Sequence, residues 1–93
     1  METKLENLLD NMMSANENVV GALVSDNQGL CYGTRGKASS SASGLITAIA
    51  DQAARVHPNS NAPVVILESS DSSVLISKHG FYTGAVYKMK PKK

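Results

Sequence analysis

Residues 39–56, SSSASGLITAIADQAARV, constrain the fold more than any other stretch of the chain. Ala42, Leu45, Ile46, Ile49, Ala50, Ala53 and Val56 recur at i, i+3, i+4, i+7, i+8, i+11 and i+14. That spacing lays an apolar stripe along one side of an α-helix. The serines in front of it are N-cap candidates, because a hydroxyl accepts from the free N–H groups of a first turn. Pro58 stops the helix, since proline cannot continue the backbone ladder. The remaining faces are unusual. Gly44 and Ala48 form a shallow lane of small residues where a solvated helix carries long charged side chains. A solvated helix can still carry such a lane, and so can a helix that packs closely against a second helix. The rest of the chain must supply a surface for this helix to cover.

Residues 1–15 carry Leu5, Leu8, Leu9, Met12 and Met13 at helical spacing, with Glu2, Lys4, Glu6 and Asp10 between them. This is a first amphipathic helix, expected to pack on the protein's own sheet. Residues 16–18 break it. Residues 19–24, VVGALV, are a short continuous apolar run, the pattern of a strand covered on both faces. Residues 25–29, SDNQG, have turn chemistry, and residues 30–35 read as the returning strand of a hairpin. Gly33 and Gly36 weaken that strand and mark a bend. After the central helix, residues 57–62 form a polar loop. Pro63 opens a strand over residues 64–67, residues 69–73 turn, and residues 74–78 form the next strand, with Val74 and Ile76 on one face. The last strand, 83–88, sets Ala85, Tyr87 and Met89 against Gly84, Val86 and Lys88. The order is α-β-β-α-β-β-β. Short connections make neighbours antiparallel. The expected α/β (α+β) fold is thus a five-stranded antiparallel sheet with helices packed on its faces. Residues 1–89 read as one domain and 90–93 as a basic tail. Residues 64–67, all apolar, need cover on both faces. Either one helix lies on each face, or a second subunit completes a layer; the pattern leaves both open.

A 93-residue chain buries only roughly 60–65% of its unfolded surface, so burial shared with a partner would help it. Its net charge of +1 provides no field to attract nucleic acid. Lys88, Lys90, Lys92 and Lys93 make a solvated basic end. Cys31 is the only cysteine, so no intrachain disulfide forms, which suits a reducing compartment; the residue reads as a small core side chain. The first residues lack a signal-peptide pattern, Glu2 rules out N-myristoylation, and no apolar run is long enough to span a bilayer. The expected location is therefore cytoplasmic, with any membrane attachment made through another protein.

Catalytic signals are missing. Gly29, Gly33 and Gly36 lie in and after a hairpin and do not fit a dinucleotide fingerprint. His57 and His79 are far apart and lack metal-ligand spacing. Asp26, Asp51, Glu68 and Asp71 show no pairing pattern, and no serine sits in a nucleophile elbow. Ser39, Ser40, Ser41 and Ser43 read as a linker and cap, with phosphorylation as the other reading. No catalytic, metal or cofactor residue is nominated. A sheet used as a small-molecule platform would need converging polar groups, which the pattern does not offer.

Several segments taken together resemble the roadblock/dynein light chain family. They are Gly21 through Leu30 (GALVSDNQGL), Gly33-Thr-Arg-Gly36, Ile49 through Arg55 (IADQAAR), Pro63 through Glu68 (PVVILE), Ile76 through His79 (ISKH) and Ala85 through Met89 (AVYKM). The resemblance spans residues 2–89. It implies a profilin-like sheet with the element order read above. It also implies pairing through the central helix and the following strand. On the helix this maps to Gly44, Thr47, Ala48, Asp51, Gln52 and Arg55. On the strand it maps to Pro63, Val64, Val65, Ile66, Leu67 and Glu68. The implied function is that of a non-enzymatic scaffold subunit of a Ragulator-like complex. Such a subunit forms a heterodimer with another roadblock subunit and is held by a separate scaffold subunit. The complex docks Rag GTPases on the cytosolic face of late endosomes and lysosomes and supports amino-acid signalling to the TOR kinase. The alternative within the family is a homodimer that regulates a small GTPase or serves as a dynein light chain. The serine run (39–43), the bulky residues 79–83 and the lysine-rich end depart from the family pattern, which bears on surface contacts and not on the fold.

Overall fold

The computed structural model describes residues 2–56 and 63–90. The expected loop at 57–62 with Pro58, and Lys92 and Lys93 of the basic end, lie outside the described residues. The elements run α1 (Glu2–Ser14), β1 (Val19–Asp26), β2 (Cys31–Gly36), a 3-10 turn (Ser40–Ala42), α2 (Ser43–Ala54), β3 (Val65–Glu68), β4 (Ser72–His79) and β5 (Tyr82–Met89). This is the α-β-β-α-β-β-β order expected from the pattern. The five strands form one antiparallel sheet in the order β2-β1-β5-β4-β3.

One helix covers each face. β1 is the strand that needs both, and its alternating side chains divide between them. Ala22 and Val24 pack with Leu9, Leu5 and Met12 of α1. Leu23 packs on the other face with Ile46 and Ala50 of α2, Ile76 of β4 and Ala85 of β5. Val74 and Tyr87 join that second cluster, as their alternation requires, and Cys31 packs at its margin.

The hairpin glycines serve the backbone. Gly36 has φ +61°, and a Cβ there would collide with the Val20 carbonyl oxygen. At Gly33 a Cβ would lie 2.9 Å from Leu9 Cδ1, so the missing side chain lets α1 come down onto β2. The turn between β1 and β2 is closed by Asp26, whose Oδ1 accepts from the backbone N–H groups of Gln28 and Leu30, both at 2.8 Å.

Element ends differ from the pattern in a consistent way. β1 continues through Ser25 to Asp26, and β4 and β5 are longer than their apolar runs. Cross-strand pairs such as His79 with Tyr82 and Ser72 with Met89 extend the ladder beyond the residues that hydropathy marks. The third strand starts at Val65, one residue later than expected, leaving Pro63 and Val64 as its approach.

The helices cover the sheet unequally. α2 contacts β1, β5, β4 and β3, whereas α1 lies over β1 and β2. On the α1 side, the half of the sheet nearer β3 is open. There Val64, Leu75 and Val86 join Leu8, Met12 and Gly84 around a trough of about 370 Å³.

Candidate functional site

α2 begins differently from the expected helix. Ser39 does cap, but it caps the short 3-10 turn, its Oγ accepting from the Ser41 N–H at 3.3 Å. α2 itself starts after Ala42, which offers no side-chain cap. Ser43 is buried, and its Oγ donates to the Gly29 carbonyl at 2.6 Å.

The helix is also rotated relative to its apolar stripe. Its buried residues are Ser43, Ile46, Thr47 and Ala50. Leu45 is 68% exposed although it belongs to the expected stripe, and Val56, its last member, lies past the end of α2 and is 71% exposed. The rotation has a physical reason. Two hydroxyls and one carboxylate on α2 find partners on the sheet or in the β1–β2 turn, and a satisfied hydroxyl can be buried in place of a leucine. Thr47 Oγ1 and Ser25 Oγ share a 2.6 Å hydrogen bond in the interior. Lys78 Nζ donates to Asp51 Oδ1 at 2.7 Å, with both side chains partly exposed.

This placement sorts the helix residues nominated for pairing. Gly44, Ala48, Gln52 and Arg55 are exposed. No atom lies within 4 Å of a Cβ built on Gly44, so the lane is open there. Asp51 is half-buried and held by Lys78. Thr47 is the exception. It is buried against its own sheet, so it is taken up by the chain's own fold and is not presented outward.

On the strand side, β3 is at the edge of the sheet and pairs only with β4 among the described residues. Val65 pairs with Ile76 and packs into the α2-side cluster. Leu67 follows it on the same face and is exposed. Val64 and Ile66 face the other way, 59% and 56% exposed, over the half of the sheet that α1 leaves open. Pro63 is half-buried. Glu68 ends the strand, with Lys90 Nζ 3.8 Å from its Oε2. Among the described residues β3 therefore presents an unpaired outer edge with apolar side chains on both faces, and α2 contacts this strand.

Other chemistry is sparse. His79 Nε2 and Ser77 Oγ share a 2.7 Å hydrogen bond, and the imidazole stacks on Tyr82 with ring centroids 5.0 Å apart. Burial pushes the Tyr87 phenol up from its ordinary value. Among the described residues no three His, Cys, Asp or Glu side chains converge as metal ligands. No helix among them is long and apolar enough to cross a membrane.

Residues 1–88 match the family described as Ragulator complex protein LAMTOR5. The Xenopus laevis Ragulator complex protein LAMTOR5 is 39% identical over 90 residues, covering 96% of this chain and 98% of that protein. Among solved structures, the roadblock/LC7 domain from Streptomyces avermitilis superposes with a TM-score of 0.72 at 17% identity, over 88% of this chain and 75% of that one. Myxococcus xanthus MglB superposes with a TM-score of 0.79 at 14% identity, over 98% and 74% of the two chains. At these identities the structural likeness establishes the roadblock/LC7 fold.

Proposed function

The chain belongs to the family of Ragulator complex protein LAMTOR5, and from that premise we propose that it is a scaffold subunit that works by pairing with another roadblock-fold subunit, without catalysis of its own. The pair is held by a wrapping scaffold subunit. The assembly docks Rag GTPases at the cytosolic face of late endosomes and lysosomes and supports amino-acid signalling to the TOR kinase. Membrane attachment is made by partner subunits. Within the family, the resemblance of residues 2–89 extends to the subunit also named hepatitis B virus X-interacting protein; the viral and survival roles in that name are not carried over.

The observation that carries this reading is β3. It is an edge strand with Val64, Ile66 and Leu67 exposed. Unpaired edges with apolar side chains invite association, and folded proteins normally cover or charge them. Joining the β3 edges of two subunits makes one sheet and satisfies the outward backbone groups. Fully burying each aliphatic side chain adds roughly 1.5–3 kcal/mol. The exposed lane of Gly44 and Ala48 lies where a partner's helix would approach, with Gln52 and Arg55 at its rim.

Affinity purification of the tagged chain from its own cells tests the reading. Recovery of a second roadblock-fold subunit with the Rag GTPases is the expected result. Recovery of the chain alone, together with a monomer in sedimentation, overturns it. A homodimer that changes the rate of a small GTPase without other subunits favours the alternative.

A further inference from the structure

The three polar residues that α2 turns inward are spaced evenly. Ser43, Thr47 and Asp51 stand at i, i+4 and i+8, the spacing of one inclined ridge on a helix. Each is tied to a different place: Ser43 to the Gly29 carbonyl in the β1–β2 turn at 2.6 Å, Thr47 to Ser25 of β1 at 2.6 Å, and Asp51 to Lys78 of β4 at 2.7 Å. The sheet side of this rail is ordered as well. Ser25 of β1 is directly paired with Thr83 of β5, and Thr83 with Lys78 of β4. Thr83 is fully buried, and its hydroxyl has no hydrogen-bond partner among the described residues. A polar row thus crosses three strands beneath α2 and is fastened to it on either side of Thr83.

The apolar grip beside the rail is thin. Ile46 and Ala50 are the only buried apolar residues of α2. Apolar contact is non-directional and resists rolling of a helix weakly. Hydrogen bonds are directional, and a seat that leaves either the Ser25 or the Thr47 hydroxyl buried and unpaired is disfavoured by roughly tenfold or more. Gly44, Ala48 and Gln52 each follow a rail residue by one position, about 100° further round the helix. Whatever fixes the rail therefore fixes the direction in which the lane points.

Resting on the pairing reading above, we propose that Ser25, Ser43, Thr47, Asp51 and Lys78 are positioning residues. They hold α2 at one azimuth, so that the Gly44–Ala48 lane meets a partner's helix at one angle. Through that seat they set how a roadblock partner is met, and Ser25, Ser43 and Thr47, being buried, do so without touching it. Ser25 and Thr47 are the decisive members, because both are buried and any effect on a partner must pass through the seat of α2.

The test is the double variant S25A/T47V, with T83V as control, in the full chain. S25A/T47V removes both halves of the buried bond, which is nearly neutral for stability. T83V removes a hydroxyl that α2 does not use. Two readouts are taken: the dissociation constant for the co-purifying roadblock subunit, and the amide resonances of Gly44, Ala48 and Gln52 in the unpaired chain. S25A/T47V is expected to keep its melting temperature, to weaken pairing at least tenfold and to shift or broaden those three resonances. T83V is expected to leave pairing and the three resonances as in the wild type. Wild-type pairing by S25A/T47V, unmoved resonances, or an equal effect of T83V overturns the proposal. So does unfolding of the double variant, which would make the bond a requirement of the fold and not of the helix seat. If the wild-type chain pairs with no roadblock subunit, the pairing reading fails, and the resonances of the unpaired chain still decide whether the rail orients α2.

Discussion

The two helices are seated on the same sheet by different physics. α1 is held mainly by apolar side chains, Leu5, Leu8, Leu9, Met12 and Met13 against Ala22 and Val24, and its tie from Arg35 Nε to Asp10 Oδ1 is long, at 3.4 Å, and solvent-exposed. Its fit is one of volume, with Gly33 making room for Leu9 and Gly84 for Met12. Methionines adapt to irregular gaps, so this seat fixes distance better than angle. α2 contributes only Ile46 and Ala50 as buried apolar residues and adds three polar ties at i, i+4 and i+8. Its seat fixes angle. The difference follows the work each helix does under the pairing reading. α1 closes a core, while α2 must also aim its outer surface at another protein.

The largest expected effect breaks the apolar side of this contrast. Leu9 is 1% exposed and among the largest fully buried side chains. Leu9→Ala should cost about 2–5 kcal/mol of unfolding free energy in urea titration, through lost burial and a cavity between α1 and the β1–β2 pair. Leu9→Met, which preserves volume, should cost less than about 1.5 kcal/mol. A large loss with both variants would mean that α1 is seated as specifically as α2.

An intermediate effect is expected under α2. Thr47→Val alone preserves shape but strands the Ser25 hydroxyl in the interior, which should cost about 1–3 kcal/mol. Adding Ser25→Ala should recover most of that loss. Absence of recovery in the double-mutant cycle would show that the 2.6 Å contact is not coupled.

The smallest effect is a pH dependence on the same face. Tyr87 packs against the α2-side cluster, and desolvation raises its folded pKa above the ordinary value of 10.0. Below that value the phenol is neutral in folded and unfolded chains, and stability is complete. As pH rises past it, the unfolded chain ionises first, so stability is lost progressively until the folded phenol also ionises. Urea midpoints of the wild type should therefore fall more steeply as pH rises past about 10 than those of Tyr87→Phe. Parallel slopes would place Tyr87 outside the buried cluster.

The contrast also explains what the sequence makes legible. α1 is readable because its stripe is apolar and meets an apolar surface, so hydropathy and burial coincide. The same holds for β1, where Ala22, Leu23 and Val24 are buried in an unbroken run. α2 is readable as a helix and misread as a surface. Leu45 belongs to its apolar stripe and is exposed, while Ser43 and Thr47 are buried. The signal for the true inner face is the four-residue spacing of Ser43, Thr47 and Asp51. It becomes decisive only with knowledge of Ser25 and Lys78, which lie 22 and 27 residues from their partners. Such partners are set by strand register, and a local pattern does not contain it. The residues proposed for pairing divide in the same way. Gly44 and Ala48 stand out by size alone, whereas the edge position of β3 depends on the order of all five strands.

Pairing through the exposed lane of α2 and the β3 edge is tested most directly at Ala48. It is exposed on the helix and is not one of the residues that α2 buries in its own core. The measurement is sedimentation of Ala48→Glu mixed with the co-purifying roadblock subunit, beside the melting temperature of the isolated variant. The predicted result is an unchanged melting temperature with pairing weakened by about a hundredfold, equivalent to roughly 2.7 kcal/mol. Pairing of Ala48→Glu at wild-type affinity would contradict it.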